Sequence, residues 1–309
     1  MSLSGNILAT IAYFDAFDLP LTSFQIWKHL IALDQDVTKP ESVPLGDVVA
    51  VLDDPELRGR IASRDGFFFL PGREDTVSER IRSEKVAVAK LKRVRRLASV
   101  LRLLPFVRMI GITGSLAMKK GKSDSDWDFF VVVRAGRIFT GRTILTGFLQ
   151  AIRRRRHGMC IRDRACLNYF VTEDNLTIPT EDLFSANEYM CIIPLFGKET
   201  FLRFMLRNRW IARFKPDFRQ TEALPLWTVP DSRKTVAVRS AFERLLDSDV
   251  LENWLGSWQK EKIMRNPNTR HEGGYIEASD RTLVFLPHPH GPVIYEKFRK
   301  RLGEVRLRG

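Results

Sequence analysis

VRMIGITGSLAMKKGKSDSDWDFFVVV, residues 107–133, is the stretch from which the rest of the chain is best read. Val107 to Ile112 and Trp127 to Val133 are apolar, β-branched runs, and they predict two short strands flanking a loop. Between them, Gly114-Ser115 opens a brief helical turn over Leu116 to Lys120. Its free backbone N–H groups and the Ser115 hydroxyl are expected at the same mouth as Asp126 and Asp128, where they would suit a phosphate. Side chains alternate along a strand, so Asp126 and Asp128 project to one side while Trp127 and Phe129 project to the other. Two neighbouring carboxylates repel each other, and a divalent cation relieves that repulsion. Mg²⁺ is commonly held by one or two carboxylates together with substrate phosphate oxygens.

A calcium loop of the EF-hand type is the rival reading, because Asp124, Asp126 and Asp128 occupy its first three ligand positions. It fails where its turn glycine would be Phe129 and its bidentate glutamate Ala135.

Gly114-Ser115, followed by Ser125-Asp126-Trp127-Asp128 on a strand, resembles the signature of the polymerase-β-like nucleotidyltransferase superfamily. The resemblance implies a small mixed sheet flanked by helices, phosphate contacts from Gly114 and Ser115, and metal ligation by Asp126 and Asp128. It also implies Mg²⁺ or Mn²⁺ as the cofactor and a nucleoside triphosphate as substrate. Lys119, Lys120 or Lys122 would then neutralise departing pyrophosphate. Members of the superfamily generally take a third carboxylate from the next strand. The polar position in CIRDRACLNYFV is Asn168, which can ligate through its amide oxygen but carries no charge and cannot act as a base. Asp163, five residues earlier, and Glu173 or Asp174, just past the strand, are the alternatives. The chain further resembles a group of bacterial predicted nucleotidyltransferases in YFDAFDLPLT, CLNYFVTEDNLTI and the pair Trp258-Gln259.

The 309-residue chain is 44% hydrophobic, enough for a globular protein with a sizeable core, and its mixed strand and helix signals, with the resemblance, make α+β the expected class. No run approaches the roughly 18 apolar residues of a membrane span. The first residues lack the basic start of a signal peptide, and cytoplasm is the expected location. Three cysteines without a CxxC pair indicate neither a zinc knuckle nor a disulfide framework. The net charge of +13 is uneven: residues 1–75 carry six Lys/Arg against twelve Asp/Glu, whereas residues 76–165 carry 22 against 6. A basic surround fits a polyanionic ligand such as a nucleoside triphosphate, and it would also steer nucleic acid.

Three units are expected. Residues 1–74 predict three helices and a hairpin about Asp65-Gly66, a winged-helix-like domain whose acidity argues against duplex DNA binding. Residues 75–178 form the nucleotidyltransferase core, led by a long basic helix from Asp75 to Arg102 in which Lys90, Lys92, Arg93, Arg95 and Arg96 are candidate polyanion contacts. A second helix is expected to end in Arg153 to Arg156, where the helix dipole favours cations. Residues 179–309 read as mostly helical, with two helices separated near Pro194 to Gly197 and a short strand in RTLVFLPHPHG.

Two functions emerge: an enzyme moving a nucleoside monophosphate to an acceptor that could be protein, small molecule or RNA, or a catalytically weakened nucleotide- or RNA-binding module acting through a protein partner. The acceptor-activating carboxylate is the feature that divides them.

Overall fold

The computed structural model describes residues 2–32, 42–218, 226–267 and 273–307. Helix α1 (Leu3–Asp15) starts at Ser2, whose side chain accepts the Gly5 N–H. After β1 (Leu21–Thr22), Thr22 and Gln25 form a reciprocal capping box that starts α2 (Ser23–Lys28). Helix α3 (Leu45–Leu52) follows, then β2 (Ala62–Arg64) and β3 (Phe67–Phe69). Asp65 and Gly66 both adopt positive φ in the turn between them, as a tight two-residue hairpin requires. Strands β1, β3 and β2 make a small antiparallel sheet.

Helix α4 (Asp75–Leu101) leads into β4 (Val107–Ile112), the single-turn α5 (Gly114–Ala117) and β5 (Trp127–Val133). Next come α6 (Ile138–Ala151) and β6 (Ala165–Thr172), then α7 (Leu183–Met190), β7 (Ile193–Phe196) and α8 (Lys198–Arg207). The chain closes with α9 (Arg233–Leu246), α10 (Asp249–Arg265), β8 (Tyr275–Ala278), β9 (Thr282–Leu286) and α11 (Gly291–Arg306).

The larger sheet runs β7-β4-β5-β6-β9-β8. β5 is antiparallel to β4 and parallel to β6. Alternation along β5 assigns its two faces. Trp127, Phe129, Val131 and Val133 enter a core with α4, α6 and Leu255 of α10. Phe130 and Val132 enter a second core with α7, α8 and Trp210. The fold is thus α+β, with a mixed sheet between two helical layers.

Three features depart from the sequence reading. Past residue 178, β9 falls on the short strand expected in RTLVFLPHPHG, but β7 forms where only a break between two helices is expected; β7 pairs with β4 and β9 with β6, so the sheet draws strands from both sides of that boundary. Its last helix belongs elsewhere again, because Phe298, Leu302 and Val305 of α11 join the core of residues 7–70, with Phe298 edge-on to Tyr13. Finally, α6 stops at Ala151, before the arginines. Arg153 takes a positive φ, and the Arg154 and Arg155 N–H groups both turn back to the Leu149 carbonyl. Arg154 and Arg156 are then held beside β6 by backbone hydrogen bonds to Ala165. The four arginines are a loop laid against the sheet, not a charged helix end.

Candidate active site

Strands β4 and β5 place Gly114 and Asp128 against each other. Thr113 N–H donates to the Asp128 carbonyl at 3.0 Å, and the chain then turns at Gly114, which has φ +65°. A Cβ added at Gly114 would lie 2.7 Å from Asp128 Oδ2. Glycine is therefore required twice over, for its backbone conformation and for the close approach of the carboxylate.

Asp126 and Asp128 point away from the Trp127 core, as alternation predicts, and with Cys166 they form a cluster whose candidate ligand atoms all lie within 4.8 Å of one another. Arg156 donates to Asp126 at 2.6 Å and approaches the Cys166 Sγ at 3.6 Å. Burial, with Asp126 and Glu188 nearby, pushes Asp128 up to about 7. The Cys166 thiol is raised to about 11 by burial and the two carboxylates, so it is protonated at neutral pH.

β6 supplies Cys166 where a third carboxylate was sought. The β5–β6 register pairs Asp128 with Cys166 and Phe130 with Tyr169, leaving Leu167 and Asn168 in an irregularity opposite Phe129. Asn168 thus stands two residues beyond the position paired with Asp128. Asp163 serves another purpose: it pairs with Arg93 at 2.6 Å and with buried Lys90 at 3.5 Å. Lys90 also donates to the Ser125 carbonyl at 2.5 Å, so it supports the aspartate loop from beneath and is not a surface contact for a polyanion.

The Gly114 N–H that a phosphate would use is taken by Glu188 of α7, at 2.7 Å. Burial raises the Glu188 pKa, opposed by that N–H and by the Thr113 side chain. Ser115 Oγ has no hydrogen-bond partner among the described residues. Of the nearby lysines, Lys119 pairs with Glu84 at 3.1 Å and Lys120 pairs with Asp18 at 3.5 Å. Lys122 is exposed.

Cys166, Glu188 and Arg156 were missed as site residues. Cys166 depends on strand register and Glu188 on how α7 packs, and neither leaves a local signal. Arg156 was noticed as charge but not as the partner of Asp126.

The donor set fits a hard divalent cation in part. Asp126 and Asp128 supply the two carboxylates that Mg²⁺ or Mn²⁺ takes alongside substrate phosphates, whereas a protonated thiol adds little. No protein-family model, curated protein or solved structure matches the chain. No helix among the described residues is long and apolar enough to cross a membrane.

Proposed function

We propose that the chain is a metal-dependent nucleotidyltransferase, which moves a nucleoside monophosphate from a nucleoside triphosphate to an acceptor and releases pyrophosphate. The observation that carries this reading is the contact between the Gly114 turn and Asp128, with Asp126 beside it. A backbone turn pressed onto paired carboxylates at the end of a mixed sheet is the arrangement implied by the polymerase-β-like resemblance. The α1–α3 and β2–β3 unit is read, from its three helices and hairpin, as a winged-helix-like accessory domain.

Asp126 and Asp128 would hold Mg²⁺ or Mn²⁺, which on binding supplies positive charge against the triphosphate and acidifies an acceptor hydroxyl. Metal binding would require Asp128 to give up its proton, and Arg156, on Asp126 Oδ2, would compete with the cation for that oxygen. Ser115 would orient the phosphates. The Gly114 N–H joins it only once Glu188 withdraws or is protonated, since a carboxylate and a phosphate oxygen compete for the same donor. Rate enhancement in such a site is chiefly electrostatic and positional.

Cys166 and Glu188 favour a second reading, a nucleotide- or RNA-binding module weakened as a catalyst. A protonated thiol in place of a third carboxylate offers no general base at neutral pH, and Glu188 blocks one phosphate donor.

The test is incubation with each α-labelled nucleoside triphosphate and Mg²⁺ or Mn²⁺, with and without cell extract. Label transferred to protein, RNA or a small molecule, and abolished by Asp128→Ala, would establish the transferase. Nucleotide binding without transfer would favour the binding module. Metal-dependent nucleotide affinity unchanged in both Asp126→Ala and Asp128→Ala would remove the metal-site assignment from either reading.

A further inference from the structure

Two basic runs far apart in sequence meet at one cavity on the opposite face of β5 from the carboxylates. Arg93, Arg96 and Leu97 of α4 form one wall, Ile152 and Arg154 after α6 the other, and Trp127 closes the base, around a volume of about 400 Å³. Trp127 stands between Asp126 and Asp128 in sequence but faces the other way, so the cavity is separate from the metal mouth.

The charge in this cavity is not neutralised internally. Asp163 is the one carboxylate among the described residues that pairs with any of its three arginines, through Arg93. Asp163 is already shared with Lys90. Arg154 reaches only the Asp163 backbone carbonyl, at 3.3 Å, and stacks over the Trp127 ring at 5.9 Å. Arg96 is exposed and has no ionic partner among the described residues. Two guanidinium groups therefore converge on one concavity with no carboxylate of their own.

We propose that this cavity is a second phosphate-binding site, independent of metal, for the phosphates of a nucleotide, whether free or within a single-stranded RNA. Guanidinium presents paired N–H donors that match phosphate oxygens two at a time, a fit that a lysine surface lacks. The volume lies within the range of about 300–1,000 Å³ usual for small-molecule clefts. Leu97 and Ile152 give it an apolar side against which a ribose or base can lie. The same arginine loop sends Arg156 to Asp126. The site stands without the transferase reading, because binding here needs neither Asp126 nor Asp128.

The experiment measures binding of a fluorescent oligoadenylate to the full chain in EDTA, with inorganic pyrophosphate as a separate titrant. It compares the wild type with Arg96→Ala, Arg154→Ala and Asp128→Ala. Both arginines lie at the surface, so unchanged urea midpoints will verify that the variants fold. Each arginine variant should weaken binding about tenfold and lower the salt dependence of the RNA by about one phosphate's share. Asp128→Ala should bind as the wild type does. Pyrophosphate binding without RNA binding, sensitive to both arginines, identifies a free-nucleotide site; RNA binding with the same sensitivity identifies a strand site. Absence of binding by both probes, or binding indifferent to both arginines, overturns the proposal. Loss of metal-dependent nucleotide binding in Asp128→Ala belongs to the carboxylate site alone, so the two ideas fail separately.

Discussion

The Gly114 N–H donates to the Glu188 carboxylate at 2.7 Å, so the donor that the proposed function assigns to a phosphate is already satisfied by an acid from α7. Glu188→Gln keeps an acceptor oxygen on that N–H while removing the negative charge. ATP or pyrophosphate should then bind several-fold more tightly, up to about tenfold, the effect of roughly 1.4 kcal/mol of relieved repulsion. Isothermal titration in Mg²⁺ measures it. Weaker binding in the variant would instead make Glu188 part of the metal site.

Metal affinity should depend on pH through Asp128. Its carboxyl holds a proton up to about 7, and a cation must displace that proton. Mn²⁺ affinity should rise by up to about tenfold per pH unit below 7 and level off above it. Affinity that is flat between about pH 5.5 and 8.5 would show that metal binding displaces no proton from Asp128 in that range, and loss of the pH dependence in Asp128→Asn assigns it to this residue.

The same shift predicts a stability effect of defined sign. Asp128 is raised from 3.8 to about 7, so the folded state holds a proton that the unfolded chain releases between those values. The carboxyl's favourable contribution is present below about 4 and is lost as pH rises through about 7. Asp128→Asn should accordingly stabilise the protein at pH above about 7 and change little under acid, as urea midpoints at the two extremes will reveal.

Gly114→Ala puts a methyl group 2.7 Å from Asp128 Oδ2 at a φ of +65°. Strain of about 1–3 kcal/mol is expected from the backbone alone. Nucleotide binding should fall along with stability, because the carboxylate must shift to make room. A variant of normal stability and normal nucleotide affinity would contradict the described packing.

Glu252 ties α10 to the start of α6. Its carboxylate accepts the Phe139 and Thr140 N–H groups, each at 2.9 Å, and the Thr140 hydroxyl. Glu252→Ala leaves those donors unsatisfied in a buried place and should cost about 2–4 kcal/mol in denaturant titration. Glu252→Gln should cost less, since one amide oxygen still accepts.

Legibility in the sequence followed the range of the interaction. The strands Val107–Ile112 and Trp127–Val133 are observed at the bounds read from their apolar runs, and Asp75–Leu101 forms the long helix its periodicity called for. The split of Trp127 from its aspartate neighbours was equally visible, since alternation is a property of any extended strand. The end of α6 was misread because helix-dipole reasoning could not see that Leu149 and Ala165 would recruit the arginine backbone into a turn.

Neighbouring residues thus sufficed to specify the strands, the Gly114 turn and the paired aspartates, because φ/ψ preference and side-chain alternation act over a few residues. Folding supplied the rest: Cys166 opposite Asp128, Glu188 on the Gly114 N–H, Lys90 beneath the loop, and the meeting of Arg93, Arg96 and Arg154. Each of these joins residues at least 30 positions apart, through strand register or helix packing. Such placements are fixed by burial of the whole core and not by local pattern.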